Sequence, residues 1–171
     1  MQTIENDLLL ERQLCFALSV ASRSVIGAYR PVLETLNLTH PQYLVMLALW
    51  EESPRTVRSI GGALAMESAT LSPMLKRLEA LGLVTRGRAE GNERALAVEL
   101  TAAGRALRNE AQKVPGVMME RLGLSRDQVD ALNDVMHSII SATGTTLPSS
   151  AHAGEDGSDT LGNQQKRTID E

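Results

Sequence analysis

The chain has 171 residues, 43% hydrophobic, 22% charged and only 2% aromatic, a soluble globular composition with enough length for one real core. No stretch is long and apolar enough to span a bilayer, and the start lacks a basic segment leading into an apolar run. One cysteine and three scattered histidines fit neither an internal disulfide nor a zinc site, so the expectation is a cytoplasmic protein with no metal and no cofactor.

In chain order, residues 5–28 carry Leu8, Leu9, Leu10, Leu14, Cys15, Phe16, Leu18, Val25 and Ile26, which predicts a helix apolar nearly all round. Such a helix is buried on more than one face, in a small protein often at a subunit interface. Pro31 is expected to end it or start a short turn. Thr39-His40-Pro41-Gln42 has the spacing of a capping box, with proline near the helix start, and predicts a helix to about Trp50. Thr56 can cap a short helix whose end Gly61-Gly62 weakens.

The stretch SATLSPMLKRLEALGL predicts a second helix of a helix-turn-helix, opening near Ser68. Leu71, Leu75 and Leu78 point inward, Thr70, Ser72 and Lys76 lie to one side, Pro73 introduces a slight irregularity, and Gly82 stops the helix in a left-handed cap. In the next stretch, LVTRGRAEGNERALAVELT, Leu96, Val98 and Leu100 alternate with Ala95, Ala97 and Glu99 as in a half-buried strand, so the segment is read as an arginine-bearing hairpin. A helix with such a wing suits duplex DNA, the helix in the major groove and the wing in the minor. Thr101 can cap a following helix that Pro115-Gly116 kinks or divides. Ser125-Arg126-Asp127-Gln128 is a second capping box, opening a final helix to about Ser141.

The net charge of -4 conceals an uneven distribution: Glu52 to Arg108 holds nine basic and six acidic residues, leaving eight basic and fifteen acidic for the rest. Positive charge is thus gathered where the motif lies, as phosphate contact requires. Beyond Thr143 the chain is rich in Ser, Gly, Thr and Asp and cannot bury enough apolar surface to offset its ordering entropy. The expected organisation is mainly α with a small β-hairpin wing. Residues 1–142 form a winged helix-turn-helix, dimerised through helices at about 5–36 and 102–142, with a DNA-binding lobe at about 39–101; residues 143–171 form a disordered polar tail.

The order helix, helix-turn-helix, wing with Asn92-Glu93-Arg94, then LTAAGRAL resembles the MarR family of winged-helix regulators. LERQLCFALSVASR, AYRPVLETLNLTHPQYLVMLALWEE and SATLSPMLKRLEALGLVTR resemble, more narrowly, its OhrR branch of organic-hydroperoxide repressors. The likeness covers roughly residues 8–142. It implies a dimeric repressor on a pseudo-palindromic A·T-rich operator, released when an organic hydroperoxide oxidises the cysteine matching Cys15; against the rival of a thiol peroxidase, an enzyme, stand the lack of a resolving cysteine and the charge gathered around the helix-turn-helix. A thiolate is the peroxide nucleophile, and the sulfenic acid it forms can be capped by a low-molecular-weight thiol or oxidised further.

In that family tyrosine hydroxyls from two places hydrogen-bond the cysteine; Tyr29 matches one, and Ser19 stands where the other is usual. A second, resolving cysteine occurs in one branch and is absent here. For DNA, the resemblance places Glu67, Ser68 and Thr70 at the major-groove end of the recognition helix, with Ser72 beside them. Lys76, Arg77, Arg86 and Arg88 are the expected phosphate-facing cations, and Arg94 the wing residue for a narrow minor groove, with Asn92 where the family commonly has aspartate. The competing expectation is a regulator released by a small phenolic or aromatic ligand, with Cys15 an inert small hydrophobe. Ser68 as a helix cap, and Tyr43 and Trp50 as core or pocket lining, are the structural alternatives at those positions.

Overall fold

A computed structural model describes residues 7–89 and 92–144. The expectations for residues 5–6, for the wing tip at 90–91 and for the tail from 145 onward lie outside the described residues, as does the side chain of Arg94. Seven helices and a small sheet are present among those described: α1 Leu14–Glu34, α2 His40–Glu51, β1 Arg55–Thr56, α3 Val57–Leu64, α4 Ser68–Ala80, β2 Val84–Ala89, β3 Asn92–Leu100, α5 Ala102–Ala111, α6 Val114–Leu122 and α7 Arg126–Ala142. The sheet has the order β1-β3-β2, antiparallel throughout.

The local chemistry explains most boundaries. Thr39 and Gln42 close a capping box at the start of α2, with the Thr39 N–H donating to Gln42 Oε1 at 2.8 Å, and Ser125 and Gln128 do the same for α7. Thr56 Oγ1 accepts from the Ser59 N–H to start α3, and Thr101 Oγ1 from the Gly104 N–H to start α5. Each such cap satisfies a backbone donor that the helix itself leaves unpaired. Gly82 adopts φ 71°, as a left-handed stop after α4 requires, and Leu83 then donates its N–H back to Leu78.

Two expectations are corrected. The first helix begins at Leu14, preceded by a short 3-10 turn at Leu10–Arg12, rather than near residue 5. It also continues through Pro31 to Glu34. An interior proline costs about 3 kcal/mol, but Leu33, Leu36 and Leu38 just beyond it are all buried in the core, each worth about 1.5–3 kcal/mol, and that anchoring outweighs the lost bond. Gly61-Gly62 lies near the end of α3, as expected, and the helix closes with Ala65 in a left-handed conformation at φ 50°. Gly61 is there for closeness: a Cβ on it would stand 2.7 Å from the Met66 carbonyl oxygen.

The core lies between α2, α3, α4 and the sheet, built on Val45, Met46, Leu49, Ile60, Leu71, Leu75, Leu78, Val84 and Val98, and is closed at one side by Ala111, Val114 and Met118. The divided helix after Thr101 is seen as α5 and α6, with Pro115 in the first turn of α6. No helix among the described residues is long and apolar enough to cross a membrane.

Candidate nucleic-acid interface and sensor thiol

Helix α4, the expected recognition helix, separates its residues by face. Leu71, Leu75 and Leu78 are buried, whereas Glu67, Ser68, Thr70, Ser72, Lys76 and Arg77 are all exposed. Glu67 occupies the position before the helix and makes no side-chain cap bond, so Ser68 is the first helical residue and not the cap. Ser72 donates to the Ser68 carbonyl at 2.9 Å. The open face therefore offers short hydroxyls near the N-terminal end and cations further along.

The wing arginines differ from one another. Arg88 is exposed. Arg86 departs from the expectation of a free phosphate-facing cation: its Nε and Nη2 both donate to Glu79 Oε2 on α4, at 2.8 and 2.5 Å. That hydrogen bond, reinforced by the arginine charge, holds the Glu79 carboxyl below its usual range against the opposing effect of desolvation. Arg94 falls within β3, which opens at Asn92, earlier than the pattern of alternation indicates. The two-residue strand β1 pairs Arg55 with Val98 and Thr56 with Ala97. Nothing in its sequence marks it, because so short a strand exists only through its long-range partner.

At the other end, Cys15 is the second residue of α1 and is exposed. Ser19 is also exposed and lies one helical turn along on the same face. Tyr29 is fourteen residues on, about 21 Å along the helix axis at 1.5 Å per residue, so the two cannot meet within one chain. Tyr29 is half-buried and packs edge-on to His40 (5.6 Å between ring centroids) and tilted to Tyr43 (6.2 Å). Burial pushes its hydroxyl above the ordinary 10.0, so it is a protonated hydrogen-bond donor at neutral pH.

The aromatic row continues from Tyr43 to Trp50, 6.3 Å apart and edge-on, and the Trp50 indole N–H donates to the Gly104 carbonyl at 2.9 Å. Tyr43 and Trp50 also line a cavity of about 330 Å³ with Leu47, Arg108 and Pro115. This row was not legible beforehand, since each ring read singly is a packing residue. No cluster of histidine, cysteine or carboxylates that could hold a metal is present among the described residues.

The apolar surface of the chain ends is uncovered. Leu14 is 61% exposed and Val135 53%, and Leu10, Phe16, Val20, Ile26 and Leu132 are exposed as well. Not one residue of α7 is buried.

Comparison with known proteins follows the same lines. A family model of the SarA/Rot transcriptional regulators matches residues 28–111. The chain is 44% identical over 126 residues to the organic hydroperoxide resistance transcriptional regulator of Bacillus subtilis, a match spanning 74% of this chain and 84% of that relative. Among solved structures, reduced AbfR bound to DNA is 33% identical with a TM-score of 0.68, covering 82% of this chain and 99% of that one; AbfR is a protein of Staphylococcus epidermidis. The repressor CouR bound to a 23-mer DNA duplex is 29% identical with a TM-score of 0.71, covering 78% and 96%.

Proposed function

The chain belongs to the MarR family of winged-helix transcriptional regulators, in its organic-hydroperoxide branch, and we propose that it is a homodimeric repressor whose operator affinity is switched by oxidation of Cys15. The observation that carries this reading is the position of the only cysteine. It stands exposed in the first turn of the same helix whose apolar surface one chain leaves uncovered. A sensor so placed is next to the surface that a second subunit must fill.

On this reading the helices α1, α6 and α7 form the dimer, and the lobe from α2 to β3 reads DNA. Glu67, Ser68, Thr70 and Ser72 face the major groove, Lys76, Arg77 and Arg88 the phosphates, and Arg94 the minor groove. Half-sites about one helical turn apart then follow from two-fold symmetry. Because Tyr29 is out of reach of Cys15 in its own chain, any support it gives the thiolate crosses the dimer, one subunit's hydroxyl donating to the other's sulfur. Ser19 is the donor available nearby in the same chain.

The chemistry closes without a cofactor. The Cys15 thiolate attacks the terminal oxygen of an organic hydroperoxide, the O–O bond breaks, the alkoxide leaves and is protonated to the alcohol, and the sulfur becomes a sulfenic acid. A low-molecular-weight thiol then displaces water from the sulfenic acid to give a mixed disulfide, since there is no second cysteine in the chain to resolve it. Bulk and polarity added at an interface helix shift the rigid-body relation of the two lobes and hence the spacing of the recognition helices. AbfR has been solved in reduced, overoxidised and disulfide forms, which supports a redox reading for a relative of this kind.

Cys15→Ser is expected to retain operator binding and lose release by cumene hydroperoxide, measured by fluorescence anisotropy on labelled promoter DNA. A variant still released by the peroxide would end the proposal. The cavity beside Tyr43 and Trp50 favours one second reading, release by a small phenolic ligand with Cys15 inert. Thermal stabilisation by such a ligand with the thiol still reduced is its signature.

A further inference from the structure

The joint between the recognition helix and the wing is a three-residue passage, Leu81 to Leu83, with Gly82 in a left-handed turn. Across it stands the ion pair of Glu79 with Arg86, both guanidinium donors directed at one carboxylate oxygen. Two features distinguish it from an ordinary surface pair. Glu79 occupies the last turn of α4, where the negative end of the helix disfavours a carboxylate, so it is held there against the local field by its partner. The Arg86 side chain is only 23% exposed, whereas Arg88, two residues on and on the same face of β2, is exposed. Arg86 is committed inward, whereas Arg88 makes no ion pair among the described residues.

From this geometry we infer that Arg86 is a positioning residue and not a phosphate contact: paired with Glu79, it fixes the angle at which the wing leaves the recognition helix, so that both reach their grooves together. The inference rests on the DNA-binding reading given above. A helix and a wing on one rigid support bind as a preorganised unit. If the joint loosens, the second contact forms at lower effective concentration and affinity falls, although no phosphate contact has been removed.

The test is operator binding by the full-length protein as a function of salt, for wild type, Glu79→Gln, Arg86→Gln, the double variant and the charge-exchanged pair E79R/R86E, with thermal melts of each. Positioning predicts that each single variant binds about fivefold more weakly, at the lower end of typical coupling between sites. It also predicts an unchanged slope of affinity against salt, a double variant no worse than either single one, and recovery in the exchanged pair. A phosphate contact at Arg86 predicts otherwise: Glu79→Gln tightens binding by unmasking the arginine, and Arg86→Gln shallows the slope by about one contact. That result, or variants that melt lower yet bind as wild type, would overturn the inference. Wild-type protein that binds no A·T-rich promoter DNA would instead overturn the functional reading on which it rests.

Discussion

The winged lobe and the chain ends use the same residue types to opposite effect. Leu71, Leu75 and Leu78 on α4 are sealed by their own chain, while Leu132 and Val135 on α7 and Leu14 on α1 stand open to solvent. Removing apolar area from water is worth about 25 cal/mol per Å², so a helix such as α4, whose leucines are sealed by its own chain, needs no partner to cover them, whereas the open apolar faces of α1 and α7 gain from one. On the proposed reading, the difference separates the part that reads DNA from the part that senses, with Cys15 in the second.

The largest expected effect breaks the comparison at its uncovered side. Introducing two carboxylates, Leu132→Asp with Val135→Asp, puts unpaired charge where the account has a dimer interface, at a cost of about 3–5 kcal/mol per buried unpaired charge. Sedimentation velocity should show monomers whose winged lobe is still folded. A dimer that survives the pair of charges would remove α7 from the interface.

Next comes the seam where the two regions join. Gly104, in the first turn of α5, lies so close to the segment leading into the wing that a Cβ there would stand 2.0 Å from the Leu83 carbonyl oxygen. Gly104→Ala should therefore lower stability by about 3 kcal/mol, at the upper end of overpacking effects, measured by urea unfolding. A smaller change tests the other side of that seam: Trp50→Phe keeps a ring but loses the bond to the Gly104 carbonyl, worth about 1 kcal/mol.

The smallest effect is a dependence on pH. Burial holds the His40 pKa below its ordinary 6.5. A base depressed in the folded state contributes stability that is present above its unfolded value and lost as pH falls through the folded one. The melting temperature should thus decline as pH drops below about 6.5, and His40→Gln should flatten that decline. An identical decline in the variant would assign it to other groups.

Much of the fold was legible because its signals are local. Thr39 with Gln42, Thr56, Thr101 and Ser125 with Gln128 announce helix starts within four residues. Gly82 announces a stop, and the spacing of Leu71, Leu75 and Leu78 fixes which face of α4 turns inward. What could not be read depends on partners far along the chain. Strand β1 exists only against Val98 and Ala97, α1 runs through Pro31 only because Leu33, Leu36 and Leu38 are claimed by the core, and Arg86 looks like every other arginine of a basic stretch until Glu79 is seen beside it. At the sensor end the sequence supplied Cys15 and Tyr29 through resemblance. The helix geometry adds that they cannot meet within one chain.

The central claim is that the thiol and the operator are coupled. The most direct measurement is binding to A·T-rich promoter DNA upstream of the protein's own gene, first reduced and then after graded organic hydroperoxide, with mass spectrometry of the Cys15 peptide in the same samples. The account predicts that bound DNA falls in step with the modified fraction of Cys15; full binding at complete oxidation of Cys15 would contradict it.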